Sequence, residues 1–126
     1  MGVKYYVFVY GTLRSGERNH RLLKEANLVE SHCWTDGFLF DTGCGYPAMT
    51  AGTEKVVGEL YEINKELLAM LDQLEGYYGE TERNHYDRVK KHIFSGDKEY
   101  IALGYIYPSG KELKRIYEND WLAYRA

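Results

Sequence analysis

The chain has 126 residues, 44% of them hydrophobic and 28% charged, with a formal net charge of −3. That length suits one domain over residues 1–126 with one proper core, and an acidic balance with no basic cluster argues against nucleic acid or an anionic membrane surface as partner. No apolar run approaches a bilayer span and no signal peptide precedes the first strand, so a cytoplasmic protein is expected. Met1-Gly2 begins like a myristoylation signal, but position 6 is Tyr rather than Ser or Thr. Cys33 and Cys44 are the only cysteines, too few and too isolated for a disulfide scaffold or a zinc site, and two reduced, mostly buried thiols are expected. The thirteen tyrosines stand out: Tyr packs with its hydroxyl at a wet edge, so a cavity lined by several of them is expected.

From Tyr5 to Tyr10 six consecutive residues are aromatic or β-branched, the pattern of a strand buried on both faces. Gly11 halts it, and beyond the glycine Thr12 and Leu13 leave peptide N–H groups outside any ladder. Such groups can hold an anion or a developing oxyanion. Arg14 to Arg18 reads as loop, and Asn19 as the cap of a short helix through His20, Leu22, Leu23 and Ala26, ending near Asn27. Leu28 to Phe40 mixes β-formers with polar residues, with a bend or bulge at Asp36-Gly37. Asp41 to Pro47 is glycine-rich loop without phosphate-loop spacing.

Lys55 to Ile63 alternates as a strand, with Val57, Glu59, Tyr61 and Ile63 on one face. Asn64 caps a helix with an apolar stripe of Leu67, Leu68, Leu71 and Leu74, and Gly76 stops it. Glu75 follows Leu71 by four residues and Leu68 by seven, so it projects on the apolar stripe, where a carboxylate is costly unless paired or protonated. Asp72 falls between the leucine rows. Tyr77 to Asn84 reads as a surface loop or lid. His85 to Phe94 is a strand, Ser95 to Lys98 a turn, and Tyr100 to Tyr107 the returning arm of a hairpin, ended by Pro108-Ser109-Gly110. One helical turn is expected between Glu112 and Asp120-Trp121. Strand and helix do not alternate throughout, which excludes a Rossmann layout and leaves an α+β domain with a strongly curved or closed sheet.

The sequence contains no G-x-S-x-G, H-E-x-x-H or C-x-x-C. What stands out is an anion-friendly strand end at Tyr10 to Leu13 and one carboxylate on an apolar helix face. Glu59 is the alternative carboxylate, with a partnership to Arg88 or a backbone group as its expected structural role.

The blocks Tyr10-Gly11-Thr12-Leu13-Arg14, Gly16, Asn19, Leu22-Leu23 and Tyr46-Pro47-Ala48 resemble the γ-glutamylcyclotransferase-like family. So do Val57 to Tyr61, Leu71-Asp72-x-x-Glu75-Gly76-Tyr77, Tyr86, Arg88 and Asp120-Trp121, all in family order across nearly the whole chain. The size fits the small branch that includes γ-glutamylamine cyclotransferase. The resemblance implies a mixed, strongly curved sheet or β-barrel flanked by short helices, with a cavity at its mouth. It also implies release of 5-oxoproline and a free amine as the α-amine of a γ-glutamyl group attacks its own γ-carbonyl. By motif, Glu75 becomes the acid/base, Tyr10, Gly11, Thr12 and Leu13 bind the γ-glutamyl portion, and Tyr86 helps line the pocket. No cofactor or metal is implied. The expected partner is a small γ-glutamyl substrate, with a homodimer left open.

Ring closure needs no enzyme nucleophile, since the attacking amine is tethered; holding it in place removes orientational freedom. A proton still has to move. An α-ammonium near ~8 and an ordinary Glu near ~4.3 differ by roughly 3.5 units, about 5 kcal/mol uphill. Burial is the larger lever for closing that gap, worth up to ~3–5 units, whereas the helix C-terminus supplies only ~0.3–1 kcal/mol. Two other readings stay open: a non-catalytic binding module on the same fold, and removal of a γ-glutamyl group from a biosynthetic intermediate.

Overall fold

In the computed structural model, which describes residues 2–108 and 110–126, the opening strand β1 (Lys4–Val9) runs through the middle of the sheet. The readings above that touch Met1 and Ser109 lie outside the described residues. β1 pairs antiparallel with β3 (Pro47–Asn64) on one side and parallel with β5 (Lys98–Ile106) on the other. Val7, Phe8 and Val9 are almost wholly buried, as a continuous apolar run covered on both faces requires. The remaining strands are β2 (Asn27–Asp41), β4 (Asp87–Ser95) and the two-residue β6 (Lys114–Arg115). Their order is β3-β1-β5-β4-β2-β6, and β2 also pairs with β3, which carries the strongly curved six-strand sheet round on itself. The fold is α+β, with few helices.

The two faces of β1 and β3 feed two different cores. Val7, Val9, Tyr61 and Ile63 pack with Leu67, Leu68 and Leu71 of α1 (Lys65–Glu75). Phe8, Tyr10, Val56 and Leu60 face the other way, onto Cys33, Leu39, Met49, Ile93 and Ile116. Period-two alternation along β3 therefore reads directly as a choice between cores.

The long strands needed irregularities to curve. β2 shifts register against β3 between Leu28 and Glu30, between Glu30 and Cys33, and between Gly37 and Phe38; the last is the expected bend at Asp36-Gly37. β3 starts at Pro47, eight residues before the expected Lys55, because Pro47 to Thr50 continue the antiparallel ladder with Phe38 to Asp41 beyond the bulge. β4 starts at Asp87 rather than His85, and its hairpin to β5 turns at Gly96-Asp97 as expected.

Helix ends follow local chemistry. The Asn64 side chain accepts from the Leu67 N–H at 2.8 Å, and Gly76 adopts φ 68° at the other end of α1. The Tyr77 N–H reaches the Asp72 carbonyl and the Gly76 N–H that of Gln73, a Schellman ending that a left-handed glycine permits. The segment after Asn19 is only a 3₁₀ turn, His20–Leu23, and Asn19 does not cap it; its carboxamide donates instead to Thr12 Oγ1 at 3.0 Å. The C-terminal helix α2 (Trp121–Arg125) comes after Asp120 rather than before it, since the Asp120 carboxylate accepts from the Leu122 and Ala123 N–H groups. Cys33 is buried and Cys44 is exposed in the 41–46 loop, both as free thiols.

Gly58 marks the tightest approach in the sheet. A Cβ there would drive into the Val9 carbonyl oxygen and lie 2.6 Å from the Phe8 ring. Gly58→Ala should lose stability at or beyond the upper end of the ~1–3 kcal/mol typical of overpacking. An unchanged midpoint in urea denaturation would contradict that packing.

Candidate active site

Five chain segments converge on one hollow of about 250 Å³: β1 with the loop leaving it, the 41–46 loop with the start of β3, the C-terminal end of α1, the residues entering β4, and Tyr105 of β5. Val9 to Leu13, Arg18, Asn19, Tyr46, Pro47, Leu74, Glu75, His85, Tyr86 and Tyr105 are among its walls. All six residues expected to carry chemistry or bind substrate (Tyr10, Gly11, Thr12, Leu13, Glu75 and Tyr86) thus lie around a single cavity.

The loop after β1 is shaped by what its carbonyls do. The Gly11 carbonyl accepts from the Arg14 N–H at 3.0 Å, and that of Thr12 from the Asn19 N–H at 3.0 Å. The Leu13 carbonyl lies 3.0 Å from His20 Nδ1, which makes that ring nitrogen the donor. Among the described residues no acceptor takes the N–H groups of Gly11, Thr12 or Leu13. A run of peptide donors with its acceptors already used is what an anion-binding turn consists of. Gly11 also seats the loop against the far wall, since a Cβ there would come within 2.7 Å of the Pro47 ring.

A buried ion network clamps the same loop. Arg14 is 6% exposed and Glu59 5%. Arg14 Nε donates to Glu59 Oε2 at 3.1 Å, and its Nη1 to Asp120 Oδ1 at 2.8 Å. Glu59 Oε1 accepts from the Ser15 N–H at 2.9 Å and the Tyr61 hydroxyl at 2.8 Å. Glu59 is therefore structural, as expected: it holds a backbone group, the Ser15 N–H, as one alternative had it, and Arg14 in place of Arg88. Arg88 pairs instead with Asp72, whose other oxygen accepts from the Tyr105 hydroxyl at 2.6 Å, tying α1 to β4 and β5.

Glu75 is the carboxylate left to the hollow. Leu74 beside it is 44% exposed, so the apolar stripe that was expected to run on into the core ends at the cavity wall instead. Glu75 is half-buried at the cavity wall, and the loss of water there raises its pKa from 4.5 to about 7. Tyr10, Tyr86 and Tyr105 are pushed above the usual phenol range, first by burial and also by the nearby Glu75 charge. The Tyr10 hydroxyl donates to the Tyr105 carbonyl at 2.7 Å, and that of Tyr86 to the Pro47 carbonyl at 2.8 Å. Both hydroxyls are committed to backbone, so Tyr86 presents its ring to the hollow. The Tyr86 N–H bonds the Glu75 carbonyl at 3.2 Å, which fixes one wall against the other. Among the described residues no three His, Cys, Asp or Glu side chains gather as a metal site.

Residues 7–123 match the family model described as gamma-glutamyl cyclotransferase, AIG2-like. The chain belongs to that family. It is similar to the gamma-L-glutamyl-butirosin B gamma-glutamyl cyclotransferase of Niallia circulans, at 38% identity over 120 residues that cover 94% of this chain and 76% of the relative. It is also similar to the gamma-glutamylaminecyclotransferase of Rattus norvegicus, at 32% identity over 56% of this chain and 54% of that one. Among solved structures, YkqA from Bacillus subtilis superposes with a TM-score of 0.78 at 27% identity, covering 98% of this chain and 41% of that one. The resemblance read from the ordered motifs is therefore the right one, and the chain is a γ-glutamylcyclotransferase-like enzyme.

Sequence reasoning missed Arg18, Asn19, Leu74 and His85 as cavity walls, and counted Tyr46 only as part of a motif. The excess of tyrosine was the one compositional hint: Tyr10, Tyr46, Tyr86 and Tyr105 all line the hollow. Nothing in the spacing of His85 singles it out.

Two outcomes follow from these energetics. Arg14→Met strands the Glu59 charge in a dry site, and chemical denaturation at neutral pH should show a loss of about 3–5 kcal/mol; a loss under 1 kcal/mol would mean that the pair is not desolvated. The Glu75 pKa is raised on folding, so between about 4.5 and 7 the native state holds a proton that the unfolded chain has released, and stability falls as pH rises through that window. Glu75→Gln should therefore match wild type near pH 4 and exceed it at pH 8, by roughly 3 kcal/mol at most. Parallel unfolding curves for the two proteins at both pH values would refute the shift.

Proposed function

We propose that this protein cleaves γ-glutamyl amines or γ-glutamyl peptides, releasing 5-oxoproline and a free amine, with Glu75 as the general acid/base. The observation that carries this reading is Glu75 itself: a carboxylate with its pKa raised to about 7, lining the same hollow as the unclaimed amides after Tyr10. The ionised carboxylate accepts a proton from the substrate's α-ammonium. The freed amine attacks the γ-carbonyl carbon, forming the ring C–N bond and placing negative charge on the oxygen. The ring nitrogen then carries two hydrogens. As the tetrahedral centre collapses, Glu75 gives its proton to the leaving nitrogen and the bond to that nitrogen breaks. The re-ionised carboxylate takes the surplus proton from the ring nitrogen and passes it to the released amine.

The magnitudes favour this residue. Against an α-ammonium near ~8, a carboxyl near 7 leaves about one unit to climb, or roughly 1.4 kcal/mol. An unshifted Glu would leave about 5 kcal/mol. The amides of Gly11, Thr12 and Leu13 can hold either the oxyanion or the α-carboxylate of the γ-glutamyl group. The Tyr86 ring supports the position of the bound chain next to Glu75.

The name of the Niallia circulans relative favours a second reading of the same chemistry, in which the leaving amine belongs to a larger γ-glutamyl-bearing biosynthetic molecule. Both readings share the bond broken and the proton path.

Purified protein incubated with γ-glutamyl amines, γ-glutamyl dipeptides and γ-glutamyl-lysine should liberate 5-oxoproline from at least one of them. Glu75→Gln should remain folded by circular dichroism and lose at least ~10²-fold in kcat/KM. For wild type, kcat/KM should climb as pH rises through about 7, because the base must be ionised. Turnover surviving in Glu75→Gln, or tight ligand binding with no 5-oxoproline from the whole panel, would remove Glu75 from its role and leave a binding module.

A further inference from the structure

We infer that Asp72 and Arg88 are positioning residues for Glu75: Asp72 holds the Arg88 guanidinium one helical turn away from a carboxylate that has to stay free to take up a proton. This rests on the reaction proposed above. The arrangement follows from strand and helix periodicity. Arg88 and Tyr105 are directly opposed in the β4–β5 ladder, so their side chains leave the same face of the sheet. Tyr105 is a wall of the hollow that Glu75 lines. Both side chains meet Asp72: Arg88 Nη1 donates to one carboxylate oxygen, and the Tyr105 hydroxyl to the other at 2.6 Å. Asp72 and Glu75 are three residues apart on α1, a spacing that leaves their Cβ atoms only ~5–6 Å apart. The Arg88 guanidinium also lies 4.9 Å from the centre of the Tyr77 ring. The cation is thus held by residues 72 and 77, with Glu75 between them along the chain.

The charges give this clamp a role beyond tying elements together. A guanidinium within ~4–6 Å of a carboxylate lowers its pKa by ~1–3 units, which would undo what burial does to Glu75. Arg88 lies within electrostatic reach of the same region. The Tyr105 phenol is held up by the Asp72 and Glu75 charges and drawn down by Arg88, so all three act on one hydroxyl. Paired with Asp72, Arg88 presents a neutral couple, and Glu75 forms no ion pair among the described residues. The other titratable or charged groups around the hollow are Tyr10 of β1, Arg18 of the loop after it, Tyr46 of the 41–46 loop, and His85 and Tyr86 at the entry to β4. Burial raises the phenols of Tyr10, Tyr46 and Tyr86, which therefore stay neutral. Arg18 and His85 are the same in every variant compared below.

The test reads the Glu75 proton directly. Protein isotope-labelled at the glutamate δ-carbons is titrated by NMR, with the Glu75 signal assigned by its loss in Glu75→Gln. Wild type should show a midpoint of about 7. Asp72→Asn leaves the Arg88 cation unopposed and should lower that midpoint by about one unit, the small end of the usual range, because the Arg88 side chain is 26% exposed. Arg88→Gln leaves the Asp72 anion unopposed and should raise it; this variant decides the sign by itself if Asp72→Asn does not fold. Asp72→Asn combined with Arg88→Gln removes both charges and should restore the wild-type midpoint. A clamp that only holds the elements together predicts shifts of one sign, with the double variant at least as disturbed as either single one. That pattern, or midpoints that do not move, overturns the inference even if every variant is active. In active variants the rising limb of kcat/KM against pH should follow the NMR midpoint. Midpoints that move as described, with no 5-oxoproline released by wild type, keep the tuning of Glu75 and defeat the reaction instead.

Discussion

The Arg14 guanidinium holds together parts of the chain that are distant in sequence. Its two arms reach Glu59 in the middle of β3 and Asp120 at the start of the C-terminal helix. The neighbouring Ser15 amide is fastened to the same Glu59. A cation and an anion this deeply buried gain little net stability over an apolar pair of the same shape. What they contribute is geometric: removal of either partner strands a charge, so the turn from Tyr10 to Ser15 has few alternatives. The amides of Gly11 to Leu13 keep their arrangement because the residues immediately after them cannot move.

Two carboxylates face opposite electrostatic circumstances within one small molecule. Glu59 is buried but fully compensated, taking a guanidinium, an amide and a phenol. Glu75 is half-buried, no ion pair of it is seen among the described residues, and burial is the cause of its raised pKa. The first arrangement fixes a charge in place, and the second leaves a proton easily exchanged near neutral pH. Asp72, one turn before Glu75, goes the structural way through Arg88 and Tyr105. On a single helix, therefore, two acidic side chains three residues apart meet opposite surroundings.

Much of this was legible in the sequence, and the reasons differ by element. β1 could be read because a doubly buried strand has a composition that little else shares. α1 could be read because Asn64, the leucine stripe and Gly76 each carry a local mechanism. The register of Glu75 followed from helical periodicity alone. The early start of β3 could not be read: Pro47 to Thr50 look like loop until β2 is known to lie alongside them past its bulge. The partner of Glu59 was hidden for a similar reason, since Arg14 is 45 residues away and only the closing of the sheet brings them together. Asn19 has the chemistry of a cap, yet Thr12 competes for its side chain. His85 has no sequence signal because its place in the wall depends on where the 77–84 loop returns.

That return has a consequence for how such an enzyme can change. The loop leaves the helix at Gly76 and comes back to the same point, where the His85 N–H bonds the Gly76 carbonyl at 3.0 Å and the Tyr86 N–H that of Glu75 at 3.2 Å. Its two feet are thus stapled to the last turn carrying the carboxylate, and the excursion between them bears none of that load. Residues 78 to 83 can lengthen, shorten or diversify while Glu75 stays where it is. One scaffold can in this way accept a rewritten detour while the half-buried carboxylate at its foot is left unaltered.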